Sequence, residues 1–566
     1  MKNIFFLVFR RMRAPLLALI GVYALAILGM VLIPGQDADG NAWQMDFLHA
    51  FYFVSYMATT IGFGEIPYAL TPAQRMWVTV CIYLTVIAWL YAIGKILTLL
   101  QDPVLRHALT ERAFAAAVKR VRKPFYVVCG YGDTGSRLVE ALMAQDQNAA
   151  VIDLDPERIN ALRLAALPLY VPGFAGDAAM PENLLLAGLR AKHCLGVVAL
   201  TNDDEVNLHI AITSKLLAPG IKVIARAEHR DVADNMASFN TDHIIDPFEV
   251  FAGRMALALS NPCMYVLNGW ITGARPLAER VDPPRGLWVL CGYGRFGRAL
   301  HARLQEEGID TVVIESTPER TGYPPGNTPL VHGWGTEADT LREAQIENAV
   351  GIVAGTDHDT NNLSILMTAG YLNPDLFMVV RQNRRHNAAL FDAIDADLVA
   401  EASTTIANRI RTLLYAPMMI DFFRETNLRG DHKARELVVR LVGVLGEEKP
   451  QIWQLTIDPE IAPTVWEVLA ENGLVTVDDL VADNRDRTEP HMAVTLLIRR
   501  HDDLIYMPAD DVEIHKGDQV LFAGQHGAKQ RQFATLLDPT TLSYVRTGET
   551  HDPHAFWSRL FARSSG

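Results

Sequence analysis

Residues 59–65 read Thr-Thr-Ile-Gly-Phe-Gly-Glu and lie between two apolar runs, each long enough to cross a lipid bilayer. The alternate glycines, Gly62 and Gly64, permit the left-handed backbone torsions that aim successive carbonyl groups at one axis. Elsewhere such glycines would merely turn the chain, but their place between two spans favours a pathway for dehydrated cations. We therefore predict a selectivity filter with these members: Thr59, Thr60, Ile61, Gly62, Phe63, Gly64 and Glu65.

The two apolar runs predict membrane-spanning helices. Residues 14–33 carry no charge, and the interior of residues 75–100 is interrupted only by Lys95, which can reach the interface. Lys and Arg are frequent before the first span and after the second, whereas residues 34–74 contain neither. The positive-inside rule then predicts that both termini are cytoplasmic and that the connecting segment faces outward.

Residues 46–59 are rich in aromatic and apolar side chains but too short to span the membrane. We predict a re-entrant pore helix here, with a buried interfacial helix as the alternative. Its C-terminal end would aim a partial negative charge at the cavity below the filter. Because one pore loop per chain cannot enclose an axis, we predict a homotetramer.

Composition limits the other functions open to the chain. Of 566 residues, more than 440 follow the second span, which is enough for two or three soluble domains. A net charge of −14, without a Lys/Arg-rich patch, argues against a nucleic-acid partner. The five cysteines are scattered without CxxC spacing, so we predict neither a disulfide framework nor a zinc site.

The soluble part contains an internal duplication. Residues 125–135 read FYVVCGYGDTG and residues 287–297 read LWVLCGYGRFG, 162 positions apart. In each copy a β-branched strand ends in an acid, Asp153 or Glu315, 18 residues beyond the third glycine. Strand and helix patterns alternate after both loops, which is typical of a doubly wound parallel sheet. We predict two Rossmann-like domains.

A glycine loop that closes a strand, opens a helix and precedes an acid at this distance predicts a dinucleotide site. The helix N-terminus would face the phosphates, and Asp153 would bind ribose hydroxyls and repel a 2′-phosphate, which favours NAD or an adenine nucleotide (ADP or ATP) over NADP. An empty scaffold is the alternative, most of all for the second copy, where Arg295 and Phe296 crowd the loop. The predicted first site comprises Gly130, Tyr131, Gly132, Asp133, Thr134, Gly135, Asp153, Leu154, Asp155, Gly176, Asp177, Thr201, Asn202, Asp203 and Arg226. The predicted second site comprises Gly292, Tyr293, Gly294, Arg295, Phe296, Gly297, Glu315, Gly335, Thr336, Thr356, Asp357 and Arg381.

The heptapeptide resembles the potassium-channel signature Thr-Val-Gly-Tyr-Gly-Asp, with Ile61, Phe63 and Glu65 as departures. Together with the paired Rossmann units, the chain resembles the prokaryotic potassium channels with tandem RCK (KTN, TrkA-N-like) domains. This implies a membrane α-helical pore of two transmembrane helices and a pore helix, joined to tandem α/β Rossmann-like domains and a small α+β C-terminal lobe. The expected boundaries are 1–101 for the pore domain, 102–123 for a linker, 124–272 for the first RCK domain with its crossover helix, 273–286 for a linker, 287–428 for the second RCK core, 429–540 for the C-terminal lobe and 541–566 for a tail.

One departure from the family concerns calcium. Calcium-sensing members place Glu-x-Glu where this chain has Arg226-Ala227-Glu228, so a cation replaces one acidic ligand. That argues against Ca²⁺ at this position and makes Arg226 either a phosphate partner or a member of a structural salt bridge. The neighbouring acids remain an alternative divalent-ion site: Asp203, Asp204, Glu205 and Glu228.

The resulting expectation is a K⁺-conducting channel of the prokaryotic inner membrane, gated by NAD or an adenine nucleotide. The resemblance implies that four chains supply eight RCK domains to a cytoplasmic gating ring. One alternative is a membrane-tethered NAD-dependent oxidoreductase, but the chain shows no substrate domain and no convincing acid/base group, so we predict no enzyme activity. The other is a component of a potassium uptake transporter, which would carry four pore loops in one chain.

Overall fold

The computed structural model describes residues 2–548 apart from 145–146, 274–275, 278–280, 488 and 490, with side chains from Phe9 onward. Part of the predicted linker 273–286 and most of the predicted tail 541–566 therefore lie outside the described residues. The chain divides into one compact unit of residues 1–120 and another that begins at residue 121.

The first unit is the predicted pore domain. Its elements are α1 (Lys2–Leu32), β1 (Gly35–Gln36), β2 (Ala42–Trp43), α2 (Phe47–Ala58), α3 (Pro72–Leu100) and α4 (Pro103–Arg120). Two stretches, Phe9–Leu32 and Pro72–Leu100, are long and apolar enough to cross a membrane, which confirms the two predicted spans. They pack together at Gly29, where a Cβ atom would lie 2.0 Å from the Trp77 ring.

Helix α2 occupies the segment predicted as a pore helix. The Asp46 carboxylate caps its N-terminus by accepting a hydrogen bond from the backbone N–H of His49 at 2.7 Å. At the other end Thr59 is the C-cap, and its hydroxyl donates to the carbonyl of Ser55 at 2.8 Å. Two of its side chains, Phe53 and Val54, are buried against α1 and α3. The segment therefore folds as a short helix that leads directly into the filter sequence.

The predicted linker 102–123 is largely the helix α4. The side chain of Asp102 is buried, pairs with Arg11 and accepts a hydrogen bond from the backbone N–H of Val104 at 2.9 Å. This contact ties the start of α4 to α1. The boundary at residue 101 is therefore a bend between two helices, and the compact unit extends to Arg120.

The first Rossmann-like core follows. Its elements are β3 (Phe125–Cys129), α5 (Asp133–Met143), β4 (Asn148–Asp153), α6 (Pro156–Leu164), β5 (Gly173–Ala175), α7 (Pro181–Leu186), β6 (Cys194–Ala199), α8 (Asp204–Leu217), β7 (Lys222–Arg226), α9 (Arg230–Ser238), β8 (His243–Ile245), α10 (Pro247–Ser260) and α11 (Pro262–Thr272). The six strands are parallel in the order β5-β4-β3-β6-β7-β8. This order reverses between β3 and β6, which is where ligands bind in doubly wound sheets.

The second core repeats the first. Its elements are β9 (Trp288–Cys291), α12 (Arg295–Glu306), β10 (Thr311–Glu315), α13 (Pro318–Thr321), β11 (Leu330–His332), α14 (Ala338–Glu343), β12 (Gly351–Ala354), α15 (Asp359–Leu372), β13 (Phe377–Gln382), α16 (Ala388–Ala393), β14 (Leu398–Glu401), α17 (Ala402–Tyr415) and α18 (Met418–Leu428). Its strands are parallel in the equivalent order, β11-β10-β9-β12-β13-β14. The predicted duplication is therefore confirmed at the level of topology.

The two cores exchange helices. Helix α10, which follows the first sheet, packs on α12 of the second core, where the Phe251 and Phe296 ring centroids are 5.5 Å apart. Helix α17, which follows the second sheet, packs on α5 of the first core and contributes Ile406 and Ile410 to its interior. Each hydrophobic core is thus completed by a helix from the other copy.

The C-terminal lobe is α+β, as predicted. Its elements are α19 (Asp431–Leu445), β15 (Gln451–Thr456), α20 (Pro463–Ala470), α21 (Val477–Val481), β16 (Ala493–Arg500), β17 (Asp503–Tyr506), β18 (Gln519–Gly524), α22 (Ala528–Leu537) and α23 (Pro539–Thr547). The antiparallel sheet has the order β15-β18-β16-β17. Helix α23 buries Leu542 and Val545, so the lobe continues past residue 540, where the tail was predicted to begin.

Candidate functional site

The filter segment has the alternating backbone expected of a carbonyl-lined passage. Gly62 and Gly64 have φ values of 65° and 75°. Thr60, two residues before Gly62, has a φ of 61°. Left-handed torsions at every second residue turn neighbouring carbonyl groups toward the same side. Ile61 and Phe63 are 59% and 65% exposed in the single chain, so their predicted outward packing stays a prediction.

Two tyrosines of α2 donate hydrogen bonds to Glu65, at the end of the predicted filter. The Tyr52 hydroxyl donates to the Glu65 carboxylate at 2.9 Å, and the Tyr56 hydroxyl donates to the Glu65 backbone carbonyl at 3.1 Å. The Tyr56 ring also lies 6.2 Å from the Phe63 ring. Phe63 stands where the potassium-channel signature has a tyrosine, so the filter lacks that hydroxyl support. Tyr52 and Tyr56 supply such supports from the neighbouring helix.

The first glycine loop is tightly packed at two of its three glycines. Gly130 has a φ of 100°, and a Cβ atom there would lie 2.9 Å from the Leu200 backbone. A Cβ atom on Gly135 would lie 2.0 Å from the Gly130 carbonyl oxygen. A Cβ atom on Gly132 would meet nothing closer than the Arg158 guanidinium at 3.6 Å, so space remains beside the loop. Helix α5 begins at the next residue and points its free N–H groups toward this space.

Asp153 is buried and aligned with the glycine loop. Its carboxylate accepts hydrogen bonds from the backbone N–H groups of Tyr131 at 2.5 Å and Asp155 at 2.8 Å. The backbone N–H of Gly176 donates to the Asp153 carbonyl at 2.9 Å, which brings the third predicted segment to the same edge. Asp133 and Thr134 start α5 across the loop. The structure therefore brings together the predicted glycine loop, acid and turn.

Several predicted rim residues have local structural roles. The carboxylates of Asp155 and Asp203 cap α6 and α8, and that of Asp177 accepts a hydrogen bond from the backbone N–H of Ala179 at 2.8 Å. Leu154 is 75% exposed beside Asp153. Helix caps at Asp155 and Asp203 and a local turn at Asp177 account for these three aspartates without a ligand, so their predicted binding roles stay predictions.

The remaining predicted residues of the first site, Thr201, Asn202 and Arg226, meet where β6 and β7 end. The Thr201 hydroxyl donates to Asn207 Oδ1 at 2.8 Å, and the Asn207 amide donates to the Arg226 carbonyl at 3.0 Å. The Arg226 guanidinium donates to Asn202 Oδ1 at 3.0 Å and pairs with Glu228. Of the two roles considered for Arg226, the described contacts are those of a salt bridge.

The second glycine loop reproduces the first. Gly292 has a φ of 93°, and a Cβ atom on Gly297 would lie 2.0 Å from the Gly292 carbonyl oxygen. The Glu315 carboxylate accepts hydrogen bonds from the backbone N–H groups of Tyr293 at 2.7 Å and Thr317 at 2.8 Å. Burial raises the pKa of Glu315, but these hydrogen bonds outweigh it and hold the pKa below its ordinary value. Glu315 is therefore the counterpart of Asp153.

In the second copy, the turn after β11 reaches the cleft with other residues than the predicted Gly335 and Thr336. Gly333, whose N–H donates to the Glu315 carbonyl at 3.2 Å, is the equivalent of Gly176, and it lines the second cleft with Trp334. Gly335 instead packs against the buried Cys291 side chain. Thr336 follows it, and its carbonyl accepts a hydrogen bond from the Thr368 hydroxyl at 3.2 Å, away from the cleft-lining residues. The predicted pair, Gly335 and Thr336, is therefore replaced at the cleft by Gly333 and Trp334.

Of the two residues expected to crowd the second loop, Phe296 turns away into the core, whereas Arg295 lines the cleft. The Phe296 side chain is 1% exposed and points into the core, where its ring lies 6.0 Å from the Phe248 ring. Arg295 turns toward the first copy and pairs with Glu228 at 2.6 Å. Arg381 lies over the Phe248 ring at 4.8 Å, and burial lowers its pKa. The second cleft has a volume of about 160 Å³, and its lining includes Arg295 and Arg381 as well as Gly294, Thr356 and Asp357.

Two arginines near the clefts were missed by sequence reasoning. Arg158 lies 3.5 Å from the Asp153 carboxylate and next to Gly132, and Arg320 lines the second cleft. Both end the tripeptide Pro-Glu-Arg, at 156–158 and 318–320, five residues after the acid. This repeated tripeptide was the available signal. Each arginine places a positive charge where a nucleotide would carry its ribose and phosphates.

The calcium alternative gains no support from the described part of the chain. Within it, no group of three or more His, Cys, Asp or Glu side chains is arranged to hold a metal ion. The Asp204 carboxylate accepts hydrogen bonds from the backbone N–H groups of Glu228 at 2.9 Å and His229 at 2.8 Å, and Glu228 pairs with two arginines. These acids are thus engaged in contacts within the protein.

Comparison with protein families matches both parts of the chain. The ion channel family matches residues 16–102, and the TrkA-N domain family matches residues 126–247 and again 288–401. The chain belongs to the two-helix channels with tandem TrkA-N domains. This confirms the family resemblance drawn from the filter and the repeated glycine loops.

Individual relatives are similar to parts of this channel. Potassium channel protein 1 of Methanocaldococcus jannaschii is 26% identical over 220 residues, which are 38% of this chain and 63% of the relative. The voltage-gated potassium channel Kch of Escherichia coli is 23% identical over 215 residues, 38% of this chain and 49% of its own. The chain therefore spans about half to just under two thirds of these curated relatives. Among solved structures, the alignment with the GsuK channel spans 93% of this chain and 99% of the GsuK chain. The two are 16% identical, and the TM-score is 0.44.

Proposed function

We propose that this channel conducts K⁺ and is gated by nucleotide binding to its TrkA-N domains. The observation that carries the proposal is the backbone of residues 60–64, in which Thr60, Gly62 and Gly64 all adopt left-handed torsions directly after a pore helix. Dehydrated K⁺ is coordinated by carbonyl rings in such filters. The names of the two curated relatives, both potassium channels, support the choice of ion.

The ligand we propose is NAD or an adenine nucleotide such as ADP or ATP. Support comes from the two clefts, each with an open second glycine, a helix N-terminus and a buried acid held by backbone N–H groups. Asp153 and Glu315 would accept hydrogen bonds from ribose hydroxyls. Arg158 and Arg320 stand beside the two acids and would add positive charge toward the phosphates.

The assembly we propose is a homotetramer in the prokaryotic inner membrane, with both termini and the TrkA-N domains in the cytoplasm. Four copies are needed because one filter segment per chain cannot surround an axis. Eight TrkA-N domains would then form a gating ring, whose shape changes with ligand because the ligand binds one shape more tightly. A coupling free energy of about 1–3 kcal/mol per site is typical of such linkage.

The test is K⁺ flux through the full-length protein reconstituted in liposomes, with NAD, ADP, ATP and Ca²⁺ added separately on the cytoplasmic side. We expect K⁺ flux that one of the nucleotides changes severalfold. Gly62→Ala, which places a side chain on a left-handed backbone, should abolish flux while nucleotide binding persists. Liposomes that stay impermeable to K⁺ under every addition would contradict the channel proposal. NADH turnover by the same preparation would instead support the oxidoreductase alternative.

A further inference from the structure

The second compact unit contains a pocket of about 770 Å³ that is separate from both nucleotide clefts. We call it the lobe pocket. Its walls come from the C-terminal ends of α5 and α11, from α17, and from the segments before β15 and after β18 of the lobe. A volume of this size is in the range of pockets that hold small organic molecules. Apolar side chains such as Ile271, Met419 and Ile452 form part of the lining.

Two cationic side chains, Arg411 and Lys449, line the lobe pocket near the C-terminal end of α11. Arg411 on α17 donates a hydrogen bond to the Thr272 carbonyl at the end of α11. Lys449, from the lobe, lies so close to Gly273 that a Cβ atom there would be 2.3 Å from Lys449 Cε. Gly273 has a φ of 68°, so glycine is favoured there for its backbone as well. The lysine stem is therefore held against the end of α11.

The positive charge in the lobe pocket is not balanced by the described residues. Within the described ranges, the structure shows no ion pair between a carboxylate and either Arg411 or Lys449, although Glu448 also lines the pocket. Loss of water lowers the pKa of Lys449, and the charge of Arg411 lowers it further. The C-terminus of α11 supplies about half a negative charge. That partial charge offsets only a fraction of two full positive charges.

One further polar group in the lobe pocket lacks a partner. The side-chain oxygen of Gln451 is inaccessible to solvent and accepts no hydrogen bond from the described residues. Nearby Gln525 is already engaged, because its amide donates to the Val444 carbonyl at 2.8 Å. A buried acceptor without a donor costs about 1–3 kcal/mol.

We propose that the lobe pocket binds a small organic anion, whose phosphate or carboxylate group lies between Arg411 and Lys449 and whose body contacts the apolar wall. This site is additional to the nucleotide sites of the proposed function and does not depend on them. Because its walls come from α5 of the first core, from α11 and α17, and from the lobe, an occupant would stabilise their present arrangement.

The direct test is the reactivity of Lys449 in the full-length protein, measured by acylation and mass spectrometry. A lysine with a lowered pKa reacts readily near neutral pH, and a bound anion should shield it. We expect inorganic phosphate, pyrophosphate or citrate at about ten times its Kd to slow labelling of Lys449 about tenfold relative to chloride at matched ionic strength. Labelling of the exposed Lys192 should not change, which controls for reagent consumption.

A matched pair of variants separates this pocket from the nucleotide clefts. Phosphate, pyrophosphate and citrate should raise the melting temperature of the wild type by binding in the lobe pocket. This rise should be smaller in Lys449→Gln and unchanged in Lys192→Gln. The wild-type labelling experiment does not depend on either variant folding. Lys449 labelling that is the same in chloride, phosphate, pyrophosphate and citrate would overturn the proposal, whatever the nucleotide clefts bind.

Discussion

At the scale of single residues, the filter shows how one lost hydroxyl is offset by others. Phe63 cannot donate a hydrogen bond, but Tyr52 and Tyr56 reach Glu65 from the pore helix at 2.9 and 3.1 Å. Thr60 adopts a left-handed torsion without being glycine, which costs about 1 kcal/mol and is held by the surrounding backbone. The end of the predicted filter is therefore supported by two hydrogen bonds from α2.

Tyr56→Phe should reduce the discrimination between K⁺ and Na⁺. The change leaves the Glu65 carbonyl without its donor, and a net loss of about 0.5–1.5 kcal/mol corresponds to a roughly twofold to tenfold lower permeability ratio. The measurement is the K⁺/Na⁺ permeability ratio in planar bilayers. Tyr170→Phe, at a side chain of the second unit that is 75% exposed, is the control and should leave the ratio unchanged. An unaltered ratio in Tyr56→Phe would show that this contact does not support the filter.

Asp153→Ala should weaken nucleotide binding and also destabilise the first core. Tyr131 and Asp155 would lose the acceptor for their backbone N–H groups, at a cost of about 1–3 kcal/mol, and the ribose would lose a charged acceptor. We expect an affinity for NAD or ADP about tenfold to a hundredfold lower at one class of site, measured by calorimetry on the full-length protein. Glu315→Ala is the matched variant for the second cleft. Unchanged binding in both variants would place the nucleotide elsewhere.

At the scale of helices and strands, local pattern predicted the elements but not their partners. Strand ends at Asp153 and Glu315, the pore helix and both spans follow from spacing and hydropathy along short segments. The exchange of α10 and α17 could not be predicted this way, because an apolar helix face does not identify the sheet that it covers. Likewise Gly333 was missed because the segment between acid and glycine is shorter in the second copy than in the first.

Phe296→Ala should be strongly destabilising because this side chain anchors the exchanged helix α10. It is 1% exposed and packs on Phe248 and Phe251, so truncation should cost about 3–5 kcal/mol. Thermal unfolding of the detergent-solubilised protein is the measurement. Phe239→Ala, at a side chain that is 43% exposed, is the control and should cost far less. Equal losses in the two variants would contradict the role given to this contact.

Asp246 at the N-terminus of α10 should make stability depend on pH. Burial raises its pKa to about 6 although the backbone N–H groups of Phe248 and Glu249 donate to it. The folded state therefore favours the protonated form, and its contribution to stability is complete below about pH 4 and is lost as pH rises through 6.

Asp246→Asn keeps an oxygen that can cap the helix but cannot ionise. We expect the variant to exceed the wild type in free energy of unfolding by up to about 2–3 kcal/mol at pH 8, with the difference disappearing near pH 4. Denaturant titrations at the two pH values provide the measurement. A variant that is less stable than the wild type at pH 8 would show that the charged form is favoured in the folded state.

At the scale of the whole molecule, the pore and the paired TrkA-N domains are separate compact units. Composition and hydropathy predicted this division, and the duplication predicted two sheets of equal topology. The lobe pocket and the arginines beside the clefts required the structure, because they are formed by residues that are distant in the sequence. The identity of the gating nucleotide depends on contacts with a ligand and stays a prediction.

Truncation after Arg120 should separate conduction from regulation. The remaining unit keeps both spans, the filter and the pair between Arg11 and Asp102. We expect it to conduct K⁺ in liposomes and to show no response to NAD, ADP or ATP. The full-length protein measured in parallel is the control. A truncated channel that still responds to a nucleotide would contradict the assignment of the sensor to the TrkA-N domains.

The exchange of α10 and α17 between the two cores limits which deletions this gene can tolerate. Deleting either Rossmann-like core would remove a helix from the hydrophobic core of the other. The two copies are therefore inherited together, in a fixed one-to-one ratio. Covalent linkage also removes any dependence of their association on dilution. The two copies need not be identical in order to pack, and their glycine loops differ, GYGDTG in one and GYGRFG in the other.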